Sequence, residues 1–340
     1  MERYARDLAA GFVKRGLRLV INSREFDPAL EVLEHVEPVK VDFRWMPKKL
    51  RDVLFFYKAG EMVSQVDLLV SCTPSRSSDI AICGGNHLGF LAAMSNRRRR
   101  LSDRLKIALE RGGYRNAKLI VAHSRRMQQE LVEHYGIPGS RIRVIHPPVD
   151  TQRFSVPAGD ARRQARQRFG FQDDDVVFAM PSTSHLRKGV DALSDYFADT
   201  SLPVVLAVAG SEFRSSNPAV RSLGYLQDIE ALYQAADYTV VASRYEPFGL
   251  VGVESILCGT PLLIAENVGC REVLDEAAYV SFSIDDAASL ARAIETAVMR
   301  IRNAEPTRIP VPARVLHYDP DVESHVTALL KAAGLERGEG

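Results

Sequence analysis

Residues 237–276 read DYTVVASRYEPFGLVGVESILCGTPLLIAENVGCREVLDE. Two apolar runs frame this stretch. TVVAS (239–243) and PLLIA (261–265) are short and rich in aliphatic residues, as strands buried on both faces of a parallel sheet must be. Pro247 and Gly249 mark a turn between them, and LVGVESILCG then has helical spacing, closed by Gly259. The frame places Glu246 in the loop leaving a strand and Glu254 about one turn further in, on a helix. The amides of Phe248, Gly249 and Leu250 lie at that helix's N-terminus, where anions bind well. An anion cradle flanked by two carboxylates that can hold hydroxyls suits a sugar diphosphate with a ribose beside it.

The same alternation extends outward in both directions. VVFAM (176–180) and PVVLAVAG (203–210) read as further strands before the quoted stretch. Earlier, LRLVI (17–21), VDLLVSC (66–72), DIAICGG (79–85), AKLIVAHS (117–124) and RIRVIHPPVD (141–150) read as strands or strand-to-loop segments. Helical spacing occupies 2–15, 47–60 and 102–112, and Ser124 is placed as the N-cap of RRMQQELVEHYGI. Strands alternating with helices predict parallel sheets covered by helices. Residues 151–175, with Pro157, Gly159 and a DDD run, read as a linker and one basic helix. The expected division is 1–155, 156–318, and a closing helix within 319–340.

At 340 residues, two domains are the natural expectation. No apolar run is long enough to span a bilayer, and no secretory signal is evident. Cys72, Cys83, Cys258 and Cys270 form no CxxC pair and lie near apolar runs, which predicts buried thiols in a reducing, cytoplasmic compartment. Charge is unevenly spread. Residues 1–150 carry 26 Lys and Arg against 17 Asp and Glu, a net of +9, whereas residues 151–340 carry 18 against 26, a net of −8. Only the first half is suited to an anionic partner.

EPFGLVGVE, with a glutamate, seven residues and a second glutamate, resembles the signature of the retaining family 4 glycosyltransferases. AHSRRMQQELVEHYGIPGSRIRVIHPPVDTQRF and LGYLQDIEALYQAADYTVVAS resemble the family's approach to the second domain and its run before the signature loop. The resemblance is strong over about 117–275 and weaker before it. It implies the GT-B fold, two Rossmann-like domains facing a cleft, with the closing helix crossing back to the first domain. The nearest flavour is the lipopolysaccharide-core type. The resemblance further implies that Glu246 bonds donor-sugar hydroxyls and Glu254 the ribose. It gives the amides of Phe248, Gly249 and Leu250 the diphosphate and sugar.

Three other segments carry candidate chemistry. In PSTSHLRKGVDAL (181–193), Ser182, Thr183 and Ser184 offer hydroxyls and Arg187 and Lys188 offer fixed cations. An Arg-Lys pair at a helix start opposes the helix dipole, which favours a ligand-binding role over a solvated one. The family places an Arg and a Lys at the donor diphosphate, where they stabilise the leaving group at about 3 kcal/mol per donor. With these cations and the amides in place, neither a metal nor a cofactor is expected, and the DDD run (173–175) reads as the end of a helix or loop. CGGNHLGFLAA (83–93) puts His87 in a Gly-rich loop, and it matches the family histidine that faces the donor sugar. The implied reaction proceeds on one face of the sugar, the leaving phosphate oxygen taking the acceptor's proton.

FRWMPKKLRDVLFFYKAG (43–60) and NRRRRLSDRLK (96–106) mix basic residues with aromatic or aliphatic ones. Such segments lie on anionic membrane surfaces or bind anionic acceptors. No nucleic-acid motif accompanies them, so nucleic acid is not an expected partner. The expectation is a sugar transfer from a nucleotide donor to a lipid-linked or cell-envelope saccharide, on the inner face of the membrane. One departure stands against the family pattern. MERYARDLAAGFVKRG resembles the family's first helix, so the first strand and its Gly-rich loop are missing and the first domain reads as N-terminally truncated. A non-catalytic nucleotide- or sugar-binding relative, and a GT-B nucleotide-sugar epimerase, are the alternative readings.

Overall fold

The computed structural model describes residues 2–28, 30–61, 66–94, 99–200, 202–215 and 217–335. The chain divides into two compact units, Met1–Pro148 with Asp319–Gly340, and Val149–Tyr318. The division falls a few residues ahead of the sequence boundary at 155, because Val149 and Phe154 are both 1% exposed within the apolar core of the second unit.

The first unit opens with α1 (Glu2–Lys14), β1 (Val20–Ser23) and β2 (Glu37–Lys40). Then come α2 (Lys48–Lys58), β3 (Val70–Ser71), β4 (Ile80–Cys83), α3 (His87–Ala93) and α4 (Leu101–Asn116). β5 (Leu119–Ala122), α5 (Arg125–Tyr135) and β6 (Ile142–Val144) complete this part. β1 and β2 pair in a two-stranded parallel sheet, and β3 to β6 form a separate four-stranded parallel sheet in chain order. Ser124 caps α5 by accepting from the Met127 amide at 3.1 Å. The strand expected at 66–72 shrinks to Val70–Ser71. Before it, the Asp79 carboxylate takes the Leu69 amide at 2.8 Å, a side chain standing where a ladder partner would be.

The second unit begins with α6 (Ala161–Arg168) and β7 (Val176–Ser182), followed by α7 (His185–Lys188), α8 (Val190–Asp199) and β8 (Val204–Gly210). β9 (Val220–Gly224), α9 (Ile229–Ala235), β10 (Tyr238–Val241) and α10 (Leu250–Leu257) come next. β11 (Leu262–Ala265), β12 (Tyr279–Phe282) and α11 (Ala287–Arg302) close it. Six parallel strands run in the order β12-β11-β10-β7-β8-β9. β10 and β11 are buried at every position, which is why their sequences are unbroken apolar runs rather than alternating ones. The chain leaves β7 toward β8 and β9, then returns to its other side at β10. The order therefore reverses between β7 and β10, and the crevice beyond their carboxyl ends is where ligands of open α/β sheets bind.

The last helix, α12 (Val322–Ala332), belongs to the first unit. Its Val326, Leu329 and Leu330 share an apolar cluster with Tyr4, Leu8 and Phe12 of α1 and with Ile80, Ile82 and Val121. Burying each such side chain is worth about 1.5–3 kcal/mol. Glu323 adds ion pairs to Lys14 at 3.0 Å and Arg15 at 3.3 Å.

Candidate functional site

The β7 and β10 ends deliver two loops to one place. After β10, Ser243 and Glu246 lie in the turn before α10; after β7, Arg187 and Lys188 form the last turn of α7. Glu246 Oε2 accepts from Lys188 Nζ at 2.6 Å, from the Arg187 guanidinium at 3.1 Å and from Ser243 Oγ at 3.0 Å. Burial pushes the Glu246 carboxyl up, but Lys188 and Arg187 beside it outweigh that effect and hold it below the usual carboxylate range. The pair of cations forms the last turn of the four-residue α7 and directly precedes Gly189, the N-cap of the ten-residue α8, so it stands at a helix start as the sequence suggested. Gly189 has φ +76° and a Cβ there would collide with the Ala242 carbonyl, so only glycine lets the α7–α8 turn approach the β10 loop this closely.

Gly249, at φ +96°, turns the chain into α10. Phe248 is 3% exposed and packs edge-on to Tyr318 at 6.0 Å. Leu250 opens α10, and Glu254 lies one turn along it, 4% exposed, its Oε2 accepting from the Tyr233 hydroxyl at 2.9 Å. Ser182 is buried at the end of β7 and bonds His185 Nδ1 at 2.9 Å. Thr183 is exposed, its carbonyl accepting from Ser211 Oγ at 3.1 Å.

Residues that sequence reasoning left without a role hold this loop. Asn267 Nδ2 donates to the carbonyls of Ser243 at 3.1 Å and Arg244 at 2.8 Å. The Gly269 amide donates to the Glu246 carbonyl at 3.2 Å and the Cys270 amide to that of Phe248 at 2.6 Å. On the other side, Arg244 makes a two-pronged ion pair with Asp191 of α8 at 2.8 and 2.9 Å. Only the position of NVGC directly after a predicted strand could have signalled this bracing.

The chain has counterparts among known proteins. The family model described as Glycosyltransferase Family 4 matches residues 1–153, and that described as Glycosyl transferases group 1 matches residues 161–300. A protein of Burkholderia thailandensis named "probable transglycosylase" is 44% identical over 338 residues, covering 98% of this chain and 93% of its own length.

The chain belongs to the family 4 glycosyltransferases.

Among solved structures, WaaG, a glycosyltransferase involved in lipopolysaccharide biosynthesis, superposes with a TM-score of 0.79 at 18% identity, covering 99% of this chain and 95% of WaaG. HepE of Anabaena, in complex with UDP and glucose, gives 0.68 at 17% identity, covering 97% and 95%. At these identities the likeness is one of fold, the GT-B fold. Mannosylfructose-phosphate synthase of Agrobacterium fabrum is 31% identical over 195 residues, 50% of this chain and 42% of that protein.

In this family 4 chain, His87 is placed differently from its sequence reading. It is the first residue of α3, not a loop residue, with Asn86 as cap accepting from the Gly89 amide at 2.7 Å. Its Nε2 lies 2.9 Å from Asp103 Oδ1, its amide donates to Glu110 at 3.0 Å, and its side chain is 11% exposed. It belongs to the first unit, whereas Glu246, Arg187, Lys188 and Glu254 belong to the second.

The DDD run lies in the turn before β7. There Asp175 accepts from the Gln172 amide at 2.8 Å and pairs with Arg221 at 3.7 Å. A second Asp-x-Asp, Asp319-Pro320-Asp321, escaped the sequence reading. It caps α12, Asp321 accepting from the Glu323 amide at 2.8 Å. The four cysteines are free thiols; Cys83, Cys258 and Cys270 are buried.

No described helix is long and apolar enough to cross a membrane. Of the basic segments, Trp45 is 76% and Leu101 81% exposed, while Phe56 is buried. Asn96, Arg97 and Arg98 lie outside the described residues. Arg99 and Arg100 are exposed, and the Arg100 amide donates to Asp103 at 2.6 Å at the start of α4.

Proposed function

We propose that this glycosyltransferase is retaining and metal-independent, and that it moves a sugar from a nucleoside-diphosphate donor to a saccharide acceptor, lipid-linked in the cell envelope. The observation that carries the reading is the convergence of Lys188, Arg187 and Glu246 at the reversal point of the second sheet. Two fixed cations beside a helix N-terminus favour a diphosphate. Glu246, lying beside them, meets the hydroxyls of the sugar attached to that diphosphate, and Glu254, on the same helix, takes the ribose. The C1–O bond to the donor phosphate breaks as the acceptor oxygen joins C1 on the same face. The acceptor's proton passes to the leaving phosphate oxygen. Positioning and charge stabilisation are then the main catalytic contributions. In the first unit, His87, paired with Asp103, is the residue that matches the family's donor-sugar histidine.

The acceptor and location follow from the first unit's charge. Exposed Trp45 and Leu101 lie in sequence beside exposed Arg44, Arg99 and Arg100, a combination suited to an anionic membrane surface. Supporting it, WaaG, whose fold this chain shares, is named as acting in lipopolysaccharide biosynthesis.

The test is calorimetry of the full chain with UDP, GDP and ADP, repeated on Glu254→Ala, followed by assay of the matching nucleotide sugars. One nucleotide is expected to bind and to bind more weakly to the variant. Equal affinity of parent and variant for every nucleotide would overturn the assignment of the site.

A further inference from the structure

We infer that Tyr233 is a positioning residue for the ribose-reading carboxylate: its hydroxyl fixes Glu254 in the orientation that accepts from the two ribose hydroxyls. The inference rests on the donor-site reading above.

Tyr233 lies on α9, 1% exposed, and its phenol donates to Glu254 Oε2 on the neighbouring α10 at 2.9 Å. Both ends of the tyrosine are held. Its ring packs against Phe154 at 6.1 Å. Its backbone carbonyl accepts from Thr260 Oγ1 at 2.6 Å, and Thr260 in turn is bonded by Arg308, which also donates to the Cys258 carbonyl at 3.0 Å. The donor is therefore anchored through both its ring and its backbone.

Packing alone does not demand the hydroxyl, since phenylalanine would fill the same space. Nor is the arrangement cheap, because a carboxylate that is 4% exposed in a helix interior requires donors to be tolerated at all. Glutamate rotates about three side-chain bonds, and a carboxylate that must meet two vicinal hydroxyls works only with both oxygens in one plane. A fixed donor on one oxygen selects that plane before the nucleotide arrives, as second-layer partners do for other ligating groups.

The experiment compares ribose discrimination. The full chain is titrated with the tightest-binding of UDP, GDP and ADP and with its 2′-deoxy and 3′-deoxy counterparts. Loss of a charge-assisted hydrogen bond predicts that the parent binds the deoxy forms about tenfold or more weakly. Glu254→Gln is expected to lose most of that preference. Tyr233→Phe and Tyr233→Met, which both remove the hydroxyl and are measured side by side in case one fails to fold, are expected to reduce the preference at least threefold while binding of the deoxy forms stays near the parent's. A purely structural tyrosine would weaken ribo and deoxy forms by the same factor, and that result overturns the inference. So does a preference unchanged in both variants. If Glu254→Gln keeps the full preference, the donor-site reading fails with it; if only the tyrosine variants keep it, the donor-site reading stands and the role of Tyr233 falls.

Discussion

Lys188 Nζ stands 2.6 Å from Glu246 Oε2, and Arg187 shares the same oxygen at 3.1 Å. The Glu246 carboxylate is thus the counter-ion of both cations. On the proposed reading, a donor diphosphate would draw on cations that are already paired, and its phosphates and Glu246 would divide the same positive charge between them.

That sharing predicts opposite behaviour for the partners. Glu246→Gln frees the cations, so nucleoside diphosphate affinity is expected to hold or rise, while sugar transfer falls because its hydroxyl acceptor is weakened. Lys188→Ala is expected to lower kcat by about 10²–10³, the usual cost of one preorganised donor at a developing negative charge. Calorimetry and a turnover assay on each variant separate the two. A Glu246→Gln protein that loses nucleotide affinity contradicts the counter-ion role.

If, as proposed, Arg187, Lys188 and the α10 amides neutralise the diphosphate, transfer is expected to persist in EDTA. Rates measured after chelation, with and without added Mg²⁺ or Mn²⁺, check this. A strict requirement for either ion contradicts it.

Acid is expected to loosen the first unit through two buried histidines. His325 Nδ1 donates to the His146 carbonyl and its Nε2 accepts from the Tyr4 hydroxyl, at 2.8 Å each, and burial lowers the imidazole pKa from 6.5 to about 4. His123, buried beside Tyr4, is lowered to about 3, again by burial first. The folded state therefore holds both neutral while the unfolded chain takes up protons from about 6.5 downward. Stability is full above 6.5 and is lost progressively as pH falls toward 4, about 3 kcal/mol of it through His325. Melting temperatures between pH 8 and pH 4.5 should fall, and His325→Gln should flatten the fall.

Through the exposed basic residues of its first unit, the protein is expected to bind anionic vesicles in preference to neutral ones, and less so in high salt. Replacing Arg99 and Arg100 with Ser should weaken binding by about 1 kcal/mol per charge, and adding Trp45→Ala should weaken it further. Donor hydrolysis in solution should be little changed. If the triple variant sediments with vesicles like the parent, the acceptor is better sought in solution.

The strands of the second unit were legible because burial on both faces leaves no alternation to misread: Tyr238–Val241 and Leu262–Ala265 are the quoted runs almost residue for residue. Glu246, Glu254, Arg187 and Lys188 were legible as a set because the motif fixes their elements. Their pairing was not, since nothing in RKG or EPFG states that two loops from strands 60 residues apart meet at one oxygen. Tyr233, Asn267 and Asp191 were illegible for the same reason, each acting on a partner in another element, at least 21 residues away in sequence. β3 was overread because an aspartate side chain replaced a ladder bond that apolar pattern alone implies. His87 was misplaced by two glycines that suggested a loop where Asn86 begins a helix.

The return of α12 to the first unit has a consequence for how the protein is made. On the ribosome, residues 149–318 emerge as an uninterrupted unit and can fold on arrival, while Tyr4, Leu8 and Phe12 wait for Val326, Leu329 and Leu330 to complete their cluster. The apolar face of α1 is thus completed only after the whole second unit has emerged. A nascent chain stalled at Asp319 would carry a complete second unit and a first unit whose α1 face is still open. For this protein the interval between the first and last helices is the window in which chaperones have most to cover.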